Sequence, residues 1–331
     1  PRPVRAAARM SQLLAGVRLA RRAALCAAGL STVTTLSHGL ALAACYSTPA
    51  AASGPVEGVA AAAGADVRRL KERAGERVRD EGRRLRQLAA EARERLRAGL
   101  AAVIGPAPAA GSSRALSVWS VGDSVVTGVG CAPESGNGPA LPRSIGEEVA
   151  RRLGGPVQWK AFGRTGADVS ELRELVLPAV AARVRSGERA DAVVVLCGVN
   201  DMKRCAWRSS GTFREELQSL IAELRAEVGA ECYIVLPGLP MACTTRFSPP
   251  WLPSYLGPVV QCVSFWWEEQ KRSLEDAARR VVFVPAPAHV DVEGAVASDG
   301  VHPNDVGYEM WGRHIGTHVA QVCVRAATAK A

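Results

Sequence analysis

Residues 114–328 predict a three-layer α/β/α sandwich around a central, mainly parallel five-stranded sheet, and three observations carry that prediction. Five short apolar runs, at 116–121, 157–163, 191–198, 232–238 and 281–285, are nearly continuous, as strands buried on both faces are. The stretches between and after them, roughly 143–153, 168–186, 211–228, 258–280 and 304–326, place apolar residues at helical spacing. Strands alternating with helices in this way form a parallel sheet covered by helices on both sides. The ligand site of such a sheet lies beyond the carboxyl ends of its strands, so function is sought in the segments that follow each run.

Ahead of this domain the chain has two further parts. Residues 1–45 are Arg-rich and free of acids, and their uncharged stretch 23–45 (AALCAAGLSTVTTLSHGLALAAC) is long enough to span a bilayer, although Thr, Ser, Gly and His38 weaken that reading. A cleaved signal peptide, an uncleaved signal anchor and an organelle transit peptide all share these features. Leu42-Ala43-Ala44-Cys45 also matches a lipoprotein cleavage box. The expectation is a targeting peptide or signal anchor that takes the domain to the secretory pathway, a membrane or an organelle. Residues 46–113 read as linker and spacer. Ala, Gly, Ser and Pro dominate 46–65. Within the charged segment 66–100, Val67, Leu70, Ala74, Val78, Leu85, Leu88, Ala92 and Leu96 recur at steps of three and four, as one face of a long surface helix would. PAPAAGSS at 106–113 closes the spacer.

Charge confirms this division. The net charge of +9 belongs to the N-terminal third, because residues 1–56 hold six Arg and no acid, whereas 105–331 hold 23 bases and 24 acids. A nucleic-acid partner would need a basic stripe on the folded domain, and none is present. The basic segment instead suits targeting or association with anionic lipid headgroups. Nine Cys occur without a CxxC pair or Cys/His spacing for zinc, so no metal site is expected. Cys197 and Cys232 lie inside apolar runs and read as buried small hydrophobes. Cys131, Cys205, Cys243 and Cys262 fall in loops, where disulfides would form in an oxidising compartment.

Four segments at the ends of the runs carry chemistry. The first strand leads into Gly122-Asp123-Ser124, a glycine-flanked turn that exposes a serine hydroxyl beside backbone N–H groups, as a nucleophile requires. The second ends at Gly163 in FGRTGAD, where the backbone can approach a ligand and turn an N–H to it. The third is followed by Gly198-Val199-Asn200-Asp201, and Asn200 can offer a side-chain N–H to a developing oxyanion. In Ser298-Asp299-Gly300-Val301-His302-Pro303, a carboxylate precedes a histidine by three residues, suiting Asp299 to orient His302 as a general base. His314 and His318, at helical spacing, read as structural.

Taken in order, these segments resemble the four blocks of the SGNH (GDSL-like) hydrolase family, in its esterase/lipase branch. The blocks centre on Ser, Gly, Asn and His, here Ser124, Gly163, Asn200 and His302 with Asp299, and DGVHPNDVGYEMWG with Tyr308 and Trp311 fits the same branch. The resemblance implies a flavodoxin-like fold and a triad of Ser124, Asp299 and His302. It also implies an oxyanion hole from the Ser124 and Gly163 N–H groups and the Asn200 amide, and carboxylic ester hydrolysis through an acyl-enzyme without a metal or organic cofactor. The expected partner is a small-molecule or lipid ester. An inert binding module tethered to a membrane and an acyltransferase using the same serine are the alternatives. Residues 131–142 and 243–262, including Trp251, depart from the family pattern and are expected to shape the substrate pocket.

Overall fold

The computed structural model describes residues 51–52, 56–60, 114–132, 136–204, 208–241, 256–287 and 294–328. Residues 1–45, read as a targeting peptide or signal anchor, and the charged segment 66–100 lie outside the described residues. Six strands form one sheet: β1 (Glu57–Ala60), β2 (Leu116–Gly122), β3 (Val157–Gly163), β4 (Ala192–Leu196), β5 (Tyr233–Pro237) and β6 (Val281–Val284). Their order is β1-β3-β2-β4-β5-β6, with β1 antiparallel to β3 and every other neighbouring pair parallel.

The helices are α1 (Ser124–Thr127), α2 (Ala140–Leu153), α3 (Val169–Glu171), α4 (Leu177–Arg185), α5 (Val199–Lys203), α6 (Ser210–Val228), α7 (Leu256–Arg272) and α8 (Asp305–Thr328). A π-helical turn, Leu172–Val176, joins α3 to α4. Pro178, two residues beyond it, has no N–H to continue the ordinary ladder, which accounts for the widened turn.

The period-two geometry of a strand divides the core between the two faces. Along β4, Ala192, Val194 and Leu196 join a cluster with Ile145 and Val149 of α2 and Trp311, Ile315 and Val319 of α8. Val193 and Val195 join the opposite cluster, with Leu172, Val176 and Val180 and with Phe213, Leu217 and Leu220 of α6. Every side chain of β4 is buried. Burying an aliphatic side chain contributes about 1.5–3 kcal/mol, against about 0–1 kcal/mol for an exposed ion pair such as Arg143–Glu147 at 3.0 Å. The two-sided core, then, is what holds the strand ends in place.

Two expectations need correction. The sheet has six strands rather than five, because residues 57–60, read as linker, form β1. A four-residue strand in an Ala/Gly-rich stretch gives no periodic signal; it forms through tertiary contacts. Ala161 N–H donates to Val56 O at 2.7 Å, and the Lys160 ammonium, 9% exposed, lies 2.5 Å from Glu57 and 2.7 Å from Glu188. The helix expected at 258–280 ends at Arg272. Residues 273–280 turn instead, where the Asp276 carboxylate accepts from Arg279 N–H at 3.1 Å and Asp276 pairs with Val281. Cys197 and Cys232 are buried, as expected, and Cys131 (buried) and Cys262 (exposed) are free thiols. Cys205, Cys243, Trp251 and His38 lie outside the described residues.

Candidate active site

The four chemistry-bearing segments singled out in the sequence reach the same rim of the sheet. β2 ends at Gly122 and the chain enters α1, whose cap is Asp123. Asp123 takes up most of the N–H groups at this helix start. Its Oδ1 accepts from Val125 at 3.2 Å, and its carbonyl accepts from Val126 at 3.1 Å and Thr127 at 3.2 Å. The Ser124 N–H is the donor that Asp123 does not use.

His302 reaches Ser124 from a loop 178 residues away in sequence. Its Nε2 lies 3.0 Å from Ser124 Oγ, and its Nδ1 lies 2.6 Å from Asp299 Oδ2. The second Asp299 oxygen accepts the N–H groups of Val301 at 2.9 Å and His302 at 3.0 Å, so the carboxylate is held from both sides. Burial by itself would raise the Asp299 pKa. The His302 ring and the two N–H donors outweigh it and bring the group down to about 2. Ser124, Asp299 and His302 are 8%, 6% and 6% exposed, which leaves their mutual hydrogen bonds little competition from water.

The His302 loop is braced against the segment after α1. A Cβ on Gly130, whose φ is +95°, would stand 2.5 Å from Pro303 O and 3.1 Å from His302 Cβ, so only glycine allows this approach. Nearby, the Tyr308 hydroxyl at the start of α8 donates to Val129 O at 2.8 Å, and Asp305 accepts Ala132 N–H at 2.7 Å.

The other two predicted residues are also at the rim. Gly163 is exposed at the end of β3, where an added Cβ would lie 2.7 Å from Thr127 Cγ2 and 3.1 Å from Val126 Cγ1. Its lack of a side chain is therefore needed for packing against α1. Asn200 is buried at the start of α5 and belongs to a polar network. Its Nδ2 donates to Asp123 Oδ2 at 3.0 Å and to Ala167 O at 2.9 Å, and its Oδ1 accepts from Lys203 Nζ at 3.0 Å. Both hydrogens of the Asn200 amide thus have partners already.

Four charged residues in and around this network were not picked out from the sequence. Asp123 is wholly buried, and desolvation raises it to about 6 against the pull of the Val125 N–H and the Lys203, His302 and Lys271 charges. Lys271, 1% exposed on α7, donates to Pro237 O at 2.9 Å. Lys203 lies three residues beyond Asn200 on the same short helix, a spacing that could have flagged it. Asp201, also buried, is raised to about 6 by desolvation. His314 and His318 are structural as expected: His314 donates to Pro285 O at 2.8 Å, and His318 bonds to the His314 carbonyl at 3.0 Å.

A small apolar pocket of about 60 Å³ opens beside Ser124 and His302, lined by Val125, Val199, Leu239, Met241, Val296 and Trp311 among others. Burial pushes the thiols of Cys131 up to about 11 and of Cys197, Cys232 and Cys323 up to about 12. None of these four offers a thiolate near neutral pH. Among the described residues no group of three or more His, Cys, Asp or Glu is arranged to hold a metal ion, and no helix is long and apolar enough to cross a membrane.

Fold and site together define an α/β protein with a Ser–His–Asp chain of hydrogen bonds at the carboxyl rim of a doubly wound sheet. Residues 120–310, more than half of the chain, match the model of the GDSL-like lipase/acylhydrolase family, and the chain belongs to that family. Its class of chemistry is accordingly the hydrolysis of esters. Among solved structures, a lipase/acylhydrolase from Enterococcus faecalis is similar at 19% identity and a TM-score of 0.45, covering 62% of this chain and 96% of that one. A carbohydrate esterase family 3 protein from Talaromyces cellulolyticus is 16% identical (TM-score 0.45; 63% and 98% covered). A family 3 carbohydrate esterase from Clostridium thermocellum is 15% identical (TM-score 0.45; 65% and 99% covered). No curated protein is similar enough in sequence to match.

Proposed function

We propose that this protein hydrolyses carboxylic esters in two steps through an acyl group carried on Ser124. The observation that carries the reading is the unbroken chain Ser124 Oγ, His302 Nε2, His302 Nδ1, Asp299 Oδ2, with links of 3.0 and 2.6 Å. His302 takes the hydroxyl proton as Ser124 attacks the ester carbonyl, then returns it to the leaving alcohol. A water activated by the same ring next releases the acid. Asp299, ionised throughout the neutral range, holds the ring with Nε2 toward Ser124 and stabilises the imidazolium.

Negative charge that develops on the carbonyl oxygen is met by the N–H of Ser124, the backbone N–H of Gly163 and the amide of Asn200. One such donor contributes about 10²–10³ in turnover. The small apolar pocket supports a short, uncharged acyl group as substrate, since the named lining side chains offer nothing to a charged acyl chain.

The test is hydrolysis of p-nitrophenyl acetate, butyrate and octanoate by the full chain. Rates are expected to be highest for the two short esters and to fall to background for all three in Ser124→Ala. Hydrolysis by Ser124→Ala at the wild-type rate would end the proposal.

A further inference from the structure

The two ends of an asparagine amide have the same shape, so its orientation is decided by its neighbours. Around Asn200 these neighbours all agree. The Ala167 carbonyl and the Asp123 carboxylate, both acceptors, stand at the nitrogen at 2.9 and 3.0 Å. The Lys203 ammonium, which can only donate, stands at the oxygen at 3.0 Å. Half a turn of the amide would set NH₂ against NH₃⁺ and oxygen against two acceptors, converting three matched contacts into three mismatches.

The three partners differ in kind. Asp123 also caps α1 and Ala167 contributes only its backbone, whereas Lys203 is an exposed residue whose ammonium is turned inward to Asn200. The carboxylates of Asp123 and Asp299 both act on that ammonium, so its charge is felt on both sides of the Ser124–His302 bond.

We propose that Lys203 is a positioning residue for ester hydrolysis: its hydrogen bond to Asn200 Oδ1 fixes the amide with Nδ2 toward Asp123, the residue before Ser124, and strengthens its N–H donors. The inference rests on the reading of Ser124 as nucleophile and Asn200 as oxyanion donor. A cation bonded to the amide oxygen draws electron density from the nitrogen and makes its N–H groups better donors. Because Asp123 and Ala167 already hold both Nδ2 hydrogens, the developing oxyanion must loosen one of those bonds. Lys203 is the contact that keeps the amide from swinging when this happens.

A double-mutant cycle on the full chain tests this with p-nitrophenyl acetate. Lys203→Met keeps the stem and removes the charge; it is expected to lower kcat by about 10- to 100-fold while KM stays within about twofold. Lys203→Arg should recover most of that loss. In an Asn200→Ala background, itself about 10²–10³ slower, Lys203→Met should change kcat by less than about twofold. Equal losses in both backgrounds, an unchanged kcat, or a raised KM at constant kcat would each overturn the proposal, since Lys203 would then act on substrate, through charge alone, or not at all. Full activity in Asn200→Ala would overturn it together with the oxyanion assignment. Full activity in Ser124→Ala would instead overturn the nucleophile reading beneath it.

Discussion

Asp123, in the turn from β2 to α1, is 2% exposed, and Asp299, in the loop before α8, is 6% exposed. Both carboxyl groups sit within the Ser124–His302 neighbourhood, and desolvation is the largest influence on each. Yet burial wins at Asp123, which is raised to about 6, and loses at Asp299, which is lowered to about 2. The difference lies in the donors. Asp299 receives two backbone N–H groups and an imidazole that carries charge when protonated, whereas Asp123 receives one long N–H bond from Val125 and the neutral amide of Asn200. Two buried carboxylates are therefore given two tasks: one stays ionised to serve the histidine, and the other, the more deeply buried, holds a turn and an amide.

The largest effect that would sharpen this contrast is kinetic. Asp299→Asn keeps the size of the side chain but removes its charge and presents an amide to the ring, so kcat is expected to fall by about 10³–10⁴. A loss smaller than about tenfold would mean that the 2.6 Å bond does not set the state of His302.

A smaller effect is expected in stability. A carboxyl group raised to about 6 binds more protons folded than unfolded between about pH 4 and 6, so its contribution falls as pH rises through that window. Asp299, lowered to about 2, works in the opposite sense: its contribution is present above about pH 4 and is lost as pH falls toward 2. Urea midpoints of Asp123→Asn should accordingly gain on wild type as pH goes from 4 to 6 and stay level above it. The full shift of about two pKa units corresponds to at most about 3 kcal/mol. Asp201, also raised to about 6, leaves a similar slope in both proteins. A gap between the two proteins that does not change with pH would show that burial does not control Asp123.

How much of this was legible in the sequence follows from the range of the forces involved. The five parallel strands could be read because a strand buried on both faces needs a continuous apolar run, and 157–163 coincides with β3 to the residue. The extra strand β1 could not, because its register depends on Lys160, about a hundred positions away, meeting Glu57. Ser124, His302 and Asp299 were legible as residue types in the right kinds of turn, and the structure brings them into contact. Lys203 left only its three-residue spacing from Asn200 as a signal, and Asp123 and Lys271 left none, since such a charged residue becomes part of a site only when the fold removes its water. Burial is a property of the packed sheet and leaves no local pattern.

The central claim, an activated serine at position 124, is tested most directly by the mass of the chain after exposure to a fluorophosphonate at neutral pH. One adduct per chain is predicted, located on Ser124 by peptide mapping and lost in His302→Ala. Absence of an adduct on the folded protein, or an adduct on another residue that survives Ser124→Ala, would contradict the account.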